Sequence, residues 1–405
     1  MRRIAWWLLV LYAFTVPWEY SLDLGEPLGN IARVVGLVLL PAAILAVFEA
    51  GRVRKPGSMQ WMTLALLVWF CCTYFWTIDG PETLYRMRAY VQEMMVVWLA
   101  WELAESPNDL RTLFRATVGG CWVLALLTLA NFISPEAIAA EQVRFAATGQ
   151  DPNDVARFLD FGFPLAALLF DGESNWAGRT LAAGYLPLGI VAVLLTASRG
   201  GVVAAVVALT GSSFLLLRGH AGRTMAGFFA LPALAAGLWW WIPAGTFQRL
   251  ATITEQLHGG DLNQRWNIWE AGWQAFAHAP VLGQGVGSFV AAAGTASMDT
   301  AHNTALSIAV ESGLAGLSLA TAIVVLAVWA VMRTRGNLRL GLATALATWL
   351  VTSLVATVEE SRMTWLLLAL MAVAGRLAAE DAQGLETCFA PVEEAQEEDR
   401  VAAQV

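Results

Sequence analysis

Apolar runs of about twenty residues recur along the whole chain, separated by short polar connections. A helix needs roughly 20 apolar residues to cross a bilayer core, and only there must every backbone group be satisfied within the segment. Twelve such runs can be placed, at about 4–18, 28–48, 59–77, 84–104, 112–133, 154–171, 180–197, 201–217, 224–243, 312–332, 338–357 and 362–379. The pattern predicts an all-α polytopic membrane protein. Residues 1–243 carry nine membrane helices, 244–311 form one large, partly helical outer loop, and 312–379 carry three more helices. The start, MRRIAWWLLVLYAF, has no small-residue cleavage site after it and reads as a first span. Residues 198–201, Ser-Arg-Gly-Gly, are read as a hinge between two helices, where paired glycines permit a sharp reversal.

Composition agrees. The chain is 58% hydrophobic and 14% charged, against about 25% charged for soluble domains. The formal charge of −8 sits almost wholly in residues 380–405, which have eight acids, one base and no apolar period. This stretch is expected to be a solvated, disordered tail on the inner side. Nothing points to nucleic acid. Of the four cysteines, Cys71, Cys72 and Cys121 lie inside apolar runs and Cys388 in the tail, with no metal or disulfide spacing.

Basic residues orient the bundle. With the N-terminus inside, the inner connections receive Arg2, Arg3, Arg52, Arg54, Lys55, Arg111, Arg179, Arg218, Arg223, Arg333, Arg335 and Arg339. Another set remains at the outer boundary against that bias: Arg86, Arg88, Arg144, Arg157, Arg199, Arg249, Arg265 and Arg362. Such groups need partners and are functional candidates. Local acids offer a plain alternative, pairing Arg157 with Asp154 or Asp160 and Arg362 with Glu359. Arg86 and Arg88 lie two apart, hence about 200° apart around a helix, and do not both face one phosphate easily. Only Lys55 is lysine among the 24 basic residues. The guanidinium fork suits phosphate, although a GC-rich genome produces the same bias.

The outer segments carry readable local signals. Asp79-Gly80-Pro81-Glu82 is a turn into a helix, and Asp151-Pro152-Asn153-Asp154 is a capped helix start. In the long loop, Asp261 to Gln264 resembles a capping box opening a helix that Pro280 stops. Trp266, Trp269, Trp273 and Phe276 fall on one face of it, suited either to the headgroup boundary or to a small core. Gly283-Gln284-Gly285-Val286-Gly287 has the wrong spacing and context for a dinucleotide fingerprint. It is read as a connector that lets backbone approach a ligand, or as a merely flexible loop. Asp299 is expected to cap a further helix, with His302 at its outer end and its axis continuing into the span near Ser312. His302 is the histidine placed to act as a base near neutral pH. His258 and His278 are read as surface or structural.

The stretches RWNIWEAGWQAFAHAPVLGQGVGSF (265–289) and AHNTALSIAVESGLAGL (301–317), with Ser198-Arg199-Gly200 upstream, resemble the C-terminal signature of the O-antigen ligase and polymerase family. The resemblance implies a bacterial inner-membrane glycosyltransferase of the GT-C class, with its active site facing the periplasm and both termini cytoplasmic. It further implies a donor glycan on undecaprenyl diphosphate and, for a ligase, a lipid A–core acceptor. Neither metal nor cofactor is implied. Carried over by motif, the essential histidine falls on His302 and the essential arginines on Arg199 and Arg265. Arg86, Arg88 and Arg157 are further candidates for substrate binding without a motif behind them. The chemistry fits, because a diphosphate leaving group needs charge stabilisation and the attacking hydroxyl needs a base. A polymerase is expected to carry a second large outer loop, whereas 134–153 is short. A pilin glycan ligase fits the same motifs. A transporter or flippase would instead gather polar groups at the midplane and show internal repeats.

Overall fold

The protein is described here by a computed structural model at residues 1–26, 28–172, 176–218, 237, 244–252, 265–296, 300–380 and 382–389. Every regular element among these residues is helical, and strand-like pairing is limited to an isolated bridge between Asp23 and Asn30. The bundle begins with α1 (Arg2–Thr15), the 3-10 segment Val16–Ser21, α2 (Ile31–Ala50), α3 (Ser58–Cys72), a second 3-10 turn Thr73–Phe75, α4 (Gly80–Leu103) and α5 (Pro107–Phe132). It continues with α6 (Pro135–Ala139), α7 (Pro152–Gly172), α8 (Trp176–Leu195), α9 (Arg199–Leu217) and α10 (Ala244–Ala251). The remaining helices are α11 (Arg265–His278), α12 (Phe289–Ala293), α13 (Thr304–Arg333), α14 (Gly336–Ser353), α15 (Arg362–Glu380) and α16 (Ala382–Phe389).

Seven of these are long and apolar enough to cross a membrane: α2, α3 with its 3-10 extension, α5, α8, α9, α13 and α15. The chain is thus an all-α, multi-pass membrane protein. Helices also stand where the other runs were expected. Of these, α1 has 14 residues, α4 and α7 carry several charges each, and α14 is diluted by Asn337, Arg339 and threonines. The expected span at 224–243 lies outside the described residues apart from Gly237.

Two helices form the spine. Every residue of α15 from Arg362 to Leu377 is buried, and α7 is buried throughout Phe158–Leu169. A helix enclosed on all sides belongs at the centre of a bundle. Around them, α15 packs on α4 and α13, and α7 on α5, α8, α9 and α14. Outward faces are apolar, as at Leu37, Val38 and Phe48 of α2 or Val325 and Met332 of α13. Hydroxyls within spans return to their own helix: Thr63, Thr117 and Thr348 donate to carbonyls four residues earlier at 2.8–2.9 Å. Their hydroxyls are thereby satisfied without a partner from outside the helix.

Three sequence expectations change. The reversal before α9 is made at Thr196–Ser198, where Ala197 takes φ +47°, not by the glycines. Gly200 and Gly201 are helical, and Gly201 lets α9 close on α7, since an added Cβ would lie 2.3 Å from Ala156 Cβ. The axis expected to run unbroken into the span near Ser312 breaks at Gly313, with φ 66° and ψ −170°. The acidic end is not wholly a solvated tail, because residues 382–389 form α16. Leu385 and Phe389, one turn apart, are buried there, and Phe389 lies 5.7 Å from Phe114 and under the Arg111 guanidinium.

The break in α13 organises the outer region. It frees backbone groups that are taken up by the segment after Pro280. Gln284 and Gly285 N–H donate to the carbonyls of Val310 and Glu311, while Leu314 and Ala315 N–H donate to those of Pro280 and Val281. The Trp69 indole takes the Ser312 carbonyl at 2.9 Å. On its other side the segment is tied to the α3–α4 turn: Ile78 N–H to Gln284, Val286 N–H to Thr73 Oγ1, and Thr83 Oγ1 to the Val286 carbonyl. The glycine run therefore serves close approach of backbone to protein.

Gly313 has no room for a side chain, since an added Cβ would lie 2.2 Å from the Val281 carbonyl oxygen. Gly294 has a similar φ of +64° with nothing within 4 Å. Left-handed strain costs roughly 1–3 kcal/mol at either position. Gly313→Ala is expected to lower the thermal midpoint of the detergent-solubilised protein well beyond Gly294→Ala. Equal shifts would deny the contact its role.

Candidate active site

Arg199 is the first residue of α9. Ser198 caps that helix by accepting from Gly201 N–H at 3.1 Å, and its hydroxyl also donates to Asn153 Oδ1 at 2.9 Å. Arg144 braces the same turn from below. Its Nε reaches the Thr196 carbonyl at 3.2 Å and its Nη2 reaches Asn153 Oδ1 at 2.8 Å. Asn153 stands in the first turn of α7, which Asp151 opens by accepting from Asn153 N–H at 2.7 Å. One turn on, Arg157 pairs with Asp154 as the local spacing suggests. Arg199 Nη1 extends to Thr252 Oγ1 at 3.1 Å, next to the end of α10, whose last turn holds Arg249.

Arg265, the first residue of α11, comes to this group from the far side. Its charge lies within electrostatic range of Arg199 and Arg157, and Arg144 lies within range of Arg199 and Arg249. Burial, reinforced by Arg199, draws the Arg265 guanidinium below its ordinary value; burial and Arg249 do the same to Arg144. Both remain cations across the physiological range. The buried Nε atoms of Arg157 and Arg249 have no hydrogen-bond partner among the described residues. Five guanidiniums from separate segments are thus linked pairwise within electrostatic range, with Asp151, Asp154 and Glu359 as the nearby acids. Like charges held together in partial burial give a local field that favours an anion.

His302 adjoins this group through α11. Trp269 follows Arg265 by one turn on the same face, and its indole donates to the carbonyl of Ala301 at 3.1 Å. On the other side, Asn303 Nδ2 reaches the Leu354 carbonyl, and Thr304 Oγ1 both donates to Ala356 and accepts from Val358 N–H. His302 is therefore held from both flanks. Its φ is +46°, and it is one of three non-glycine residues with positive φ among those described; Ala197, before Arg199, is another. Strain of this kind is kept where surrounding contacts over-determine it. The helix cap is Asn303, which accepts from Leu306 N–H at 2.9 Å; the expected cap, Asp299, lies outside the described residues. His278 is exposed at the end of α11 and bonded to the Gln274 carbonyl, while His258 and the Asp261–Gln264 box lie outside the described residues.

The tryptophans of α11 do not share one environment. Ile268, Gly272 and Ala275 form its buried face, packed with Phe276 on Phe289, Ala301 and Val310 as a small core of its own. Trp266 and Trp273 are exposed at 65% and 64%, so they belong to the outward face.

Arg86 and Arg88 are placed elsewhere. Arg86 Nε pairs with Glu82 at 2.9 Å and Nη1 with Glu360 at 2.5 Å, with Glu311 also in electrostatic range. Its charge is taken up by acids. Arg88 is exposed on α4 and lines a cavity with Arg33 and Arg362. Arg362 pairs with Glu19 at 2.6 Å, not with Glu359. Of the acidic set Glu311, Glu359 and Glu360, sequence reasoning names only Glu359, as a partner for Arg362, although an isolated acid such as Glu311 inside an apolar run is a signal. Glu359 is 4% exposed, and both carboxyl oxygens lack a hydrogen-bond partner among the described residues.

Burial, and then the neighbouring Glu360, push the Glu359 carboxyl from 4.5 up to about 8. A carboxyl raised in the folded state supports stability fully below its unfolded value, and that support is lost as pH rises through the folded one. The thermal midpoint is therefore expected to fall as pH rises from 4.5 to about 8 and to level off beyond, and Glu359→Gln is expected to flatten that fall. Parallel profiles for the two proteins would contradict the assignment.

No curated protein matches the chain. Residues 184–321, which run from α8 through Arg199, Arg265 and His302 into α13, match the family model described as O-Antigen ligase. This segment, about a third of the chain, is thus similar to the O-antigen ligase family.

Proposed function

We propose that this protein transfers O-antigen glycan from undecaprenyl diphosphate to a sugar hydroxyl of lipid A–core, at the periplasmic face of the bacterial inner membrane. The similarity of residues 184–321 to the O-antigen ligase family supports ligase- or polymerase-type glycosyl transfer in general. The observation that supports the finer reading is that Arg199, Arg265 and Arg157, from three helices, lie within electrostatic range of one another or of a shared neighbour, while α11, which begins with Arg265, also holds the backbone next to His302.

In this reading the diphosphate of the donor lies among the guanidiniums. The acceptor oxygen forms a bond to the anomeric carbon as the bond from that carbon to the diphosphate oxygen breaks. The electron pair leaves on the diphosphate, where Arg199 and Arg265 meet the growing charge with charge-assisted bonds. The hydroxyl proton passes to a ring nitrogen of His302. Arg157 and Arg249 have buried donor atoms still to satisfy, which suits them to the non-bridging oxygens. Arg144 acts on the turn that carries Arg199 and is a positioning residue.

The test is transfer by purified protein given undecaprenyl-diphosphate glycan and, in separate reactions, lipid A–core, a second glycan or pilin. His302→Ala is expected to lose about 10²–10⁴-fold in rate while keeping its thermal midpoint. Arg265→Lys is expected to lose on the order of a hundredfold, because an ammonium lacks the fork. Full activity of either variant would remove that residue's role. Product only with a second glycan or with pilin would replace lipid A–core as acceptor.

A further inference from the structure

A second basic site lies apart from the arginine group. A cavity of about 320 Å³ opens between α1, α2, α4 and α15, with Tyr12, Arg33, Arg88, Gln92 and Arg362 as its polar lining. Three buried atoms of that lining have no hydrogen-bond partner among the described residues: Tyr12 Oη, Arg33 Nε and Arg362 Nε. They come from three different helices. Buried donors left unsatisfied are costly, and their convergence on one cavity marks a place built for an acceptor.

The charge has the same sense. Among the described residues, Arg33 and Arg88 make no hydrogen bond or ion pair through their side chains, and no acid lines the cavity. The Arg362 side chain is 7% exposed and has one partner, Glu19, behind it. Glu93 on α4 is also within electrostatic range of Arg362 but is not among the lining residues. Three cations thus face a cavity with one compensating carboxylate at its back and one further away.

The remaining wall is apolar, formed by Leu37, Leu40, Val91 and Met95. Leu37 and Val91 are also 51% and 46% exposed, on helices whose outward faces are apolar. The mouth therefore turns toward lipid. A free anion would gain nothing from these side chains, whereas a hydrocarbon chain below a phosphate would bury against them.

We propose that this cavity is a lipid-phosphate site, in which Arg33, Arg88 and Arg362 hold the headgroup phosphate of a membrane lipid and Leu37 and Val91 border its chain. The site is distinct from the group around Arg199 and Arg265, and its assignment does not depend on the transfer reaction. The segment Val16–Ser21 stands between the two. Glu19 faces Arg362, while Ser21 accepts from Gln150 Nε2 at 2.9 Å and Tyr20 is within electrostatic range of Arg157.

Full-length protein is reconstituted in nanodiscs of equal phosphatidylglycerol and phosphatidylcholine, transferred to detergent, and its retained lipid measured by native mass spectrometry. Wild type is expected to retain phosphatidylglycerol in preference, and millimolar inorganic phosphate is expected not to displace it. The Arg33→Gln/Arg88→Gln variant, which breaks no ion pair, is expected to lose about tenfold or more in retention. Val91→Trp keeps every guanidinium and fills the apolar wall, and is expected to lose retention as well. Unchanged retention in both folded variants would overturn the site, and displacement by inorganic phosphate would reduce it to a simple anion site. If the double arginine variant fails to fold, Val91→Trp decides alone.

Discussion

The outer half of this molecule depends on one constraint: a helix broken beside a membrane must have its backbone groups satisfied from within the protein. The break at Gly313 releases the carbonyls of Val310, Glu311 and Ser312 and the N–H groups of Leu314 and Ala315. The segment 280–286 answers them, and is itself clamped to the turn between α3 and α4. That clamp fixes where α11 ends. Because α11 also packs on α13 through Ile268, Ala275 and Val310, its first turn is fixed too, and with it Arg265. The position of a charged group thus follows from peptide groups tens of residues away.

Charge is divided between two neighbourhoods. Around Arg86, acids prevail: Glu82 and Glu360 pair with it, and Glu311 and Glu359 are buried nearby. Around Arg199, bases prevail. Arg86 is thus held by acids on two elements, which gives it a structural place between α4 and the link before α15. The base-rich side is answered only in part, by Asp154 paired with Arg157 and by Asp151 and Glu359 within electrostatic range of it.

Much of the fold was legible because its signals are local. Caps at Asp79 and Ser198, the Asp151 start of α7 and the Arg157–Asp154 pair all lie within four residues of what they bind. The candidate site was read from short motifs around Arg199, Arg265 and His302, all of which fall inside the matched segment. What could not be read is non-local. Arg362 finds Glu19 across 343 positions, and Trp69 finds Ser312 across 243. The Gly313 break was hidden because the sequence on either side is apolar and periodic. The reversal at Ala197 was hidden because two adjacent glycines were the stronger signal. They serve helix contact instead, and a sequence cannot say whether a glycine is there for its angle or for its size.

The segment Val16–Ser21 brings the two basic regions into one frame. It is short, contains Pro17, and touches both: Glu19 closes on Arg362 toward the cavity, and Ser21 and Tyr20 face the segment that leads to Arg157. Glu19 is buried at 1% exposure, and burial raises its carboxyl above the ordinary range even though Arg362 opposes that rise. The pair is therefore costly to bury, and replacing one partner alone would strand the other's charge. Keeping an expensive ion pair at this point makes sense if the aim is to hold two cationic regions apart. Glu19 answers Arg362 on one side of the segment while Ser21 and Tyr20 adjoin the stretch leading to Arg157 on the other, so the arginines of the cavity and those around Arg157 remain separate sets.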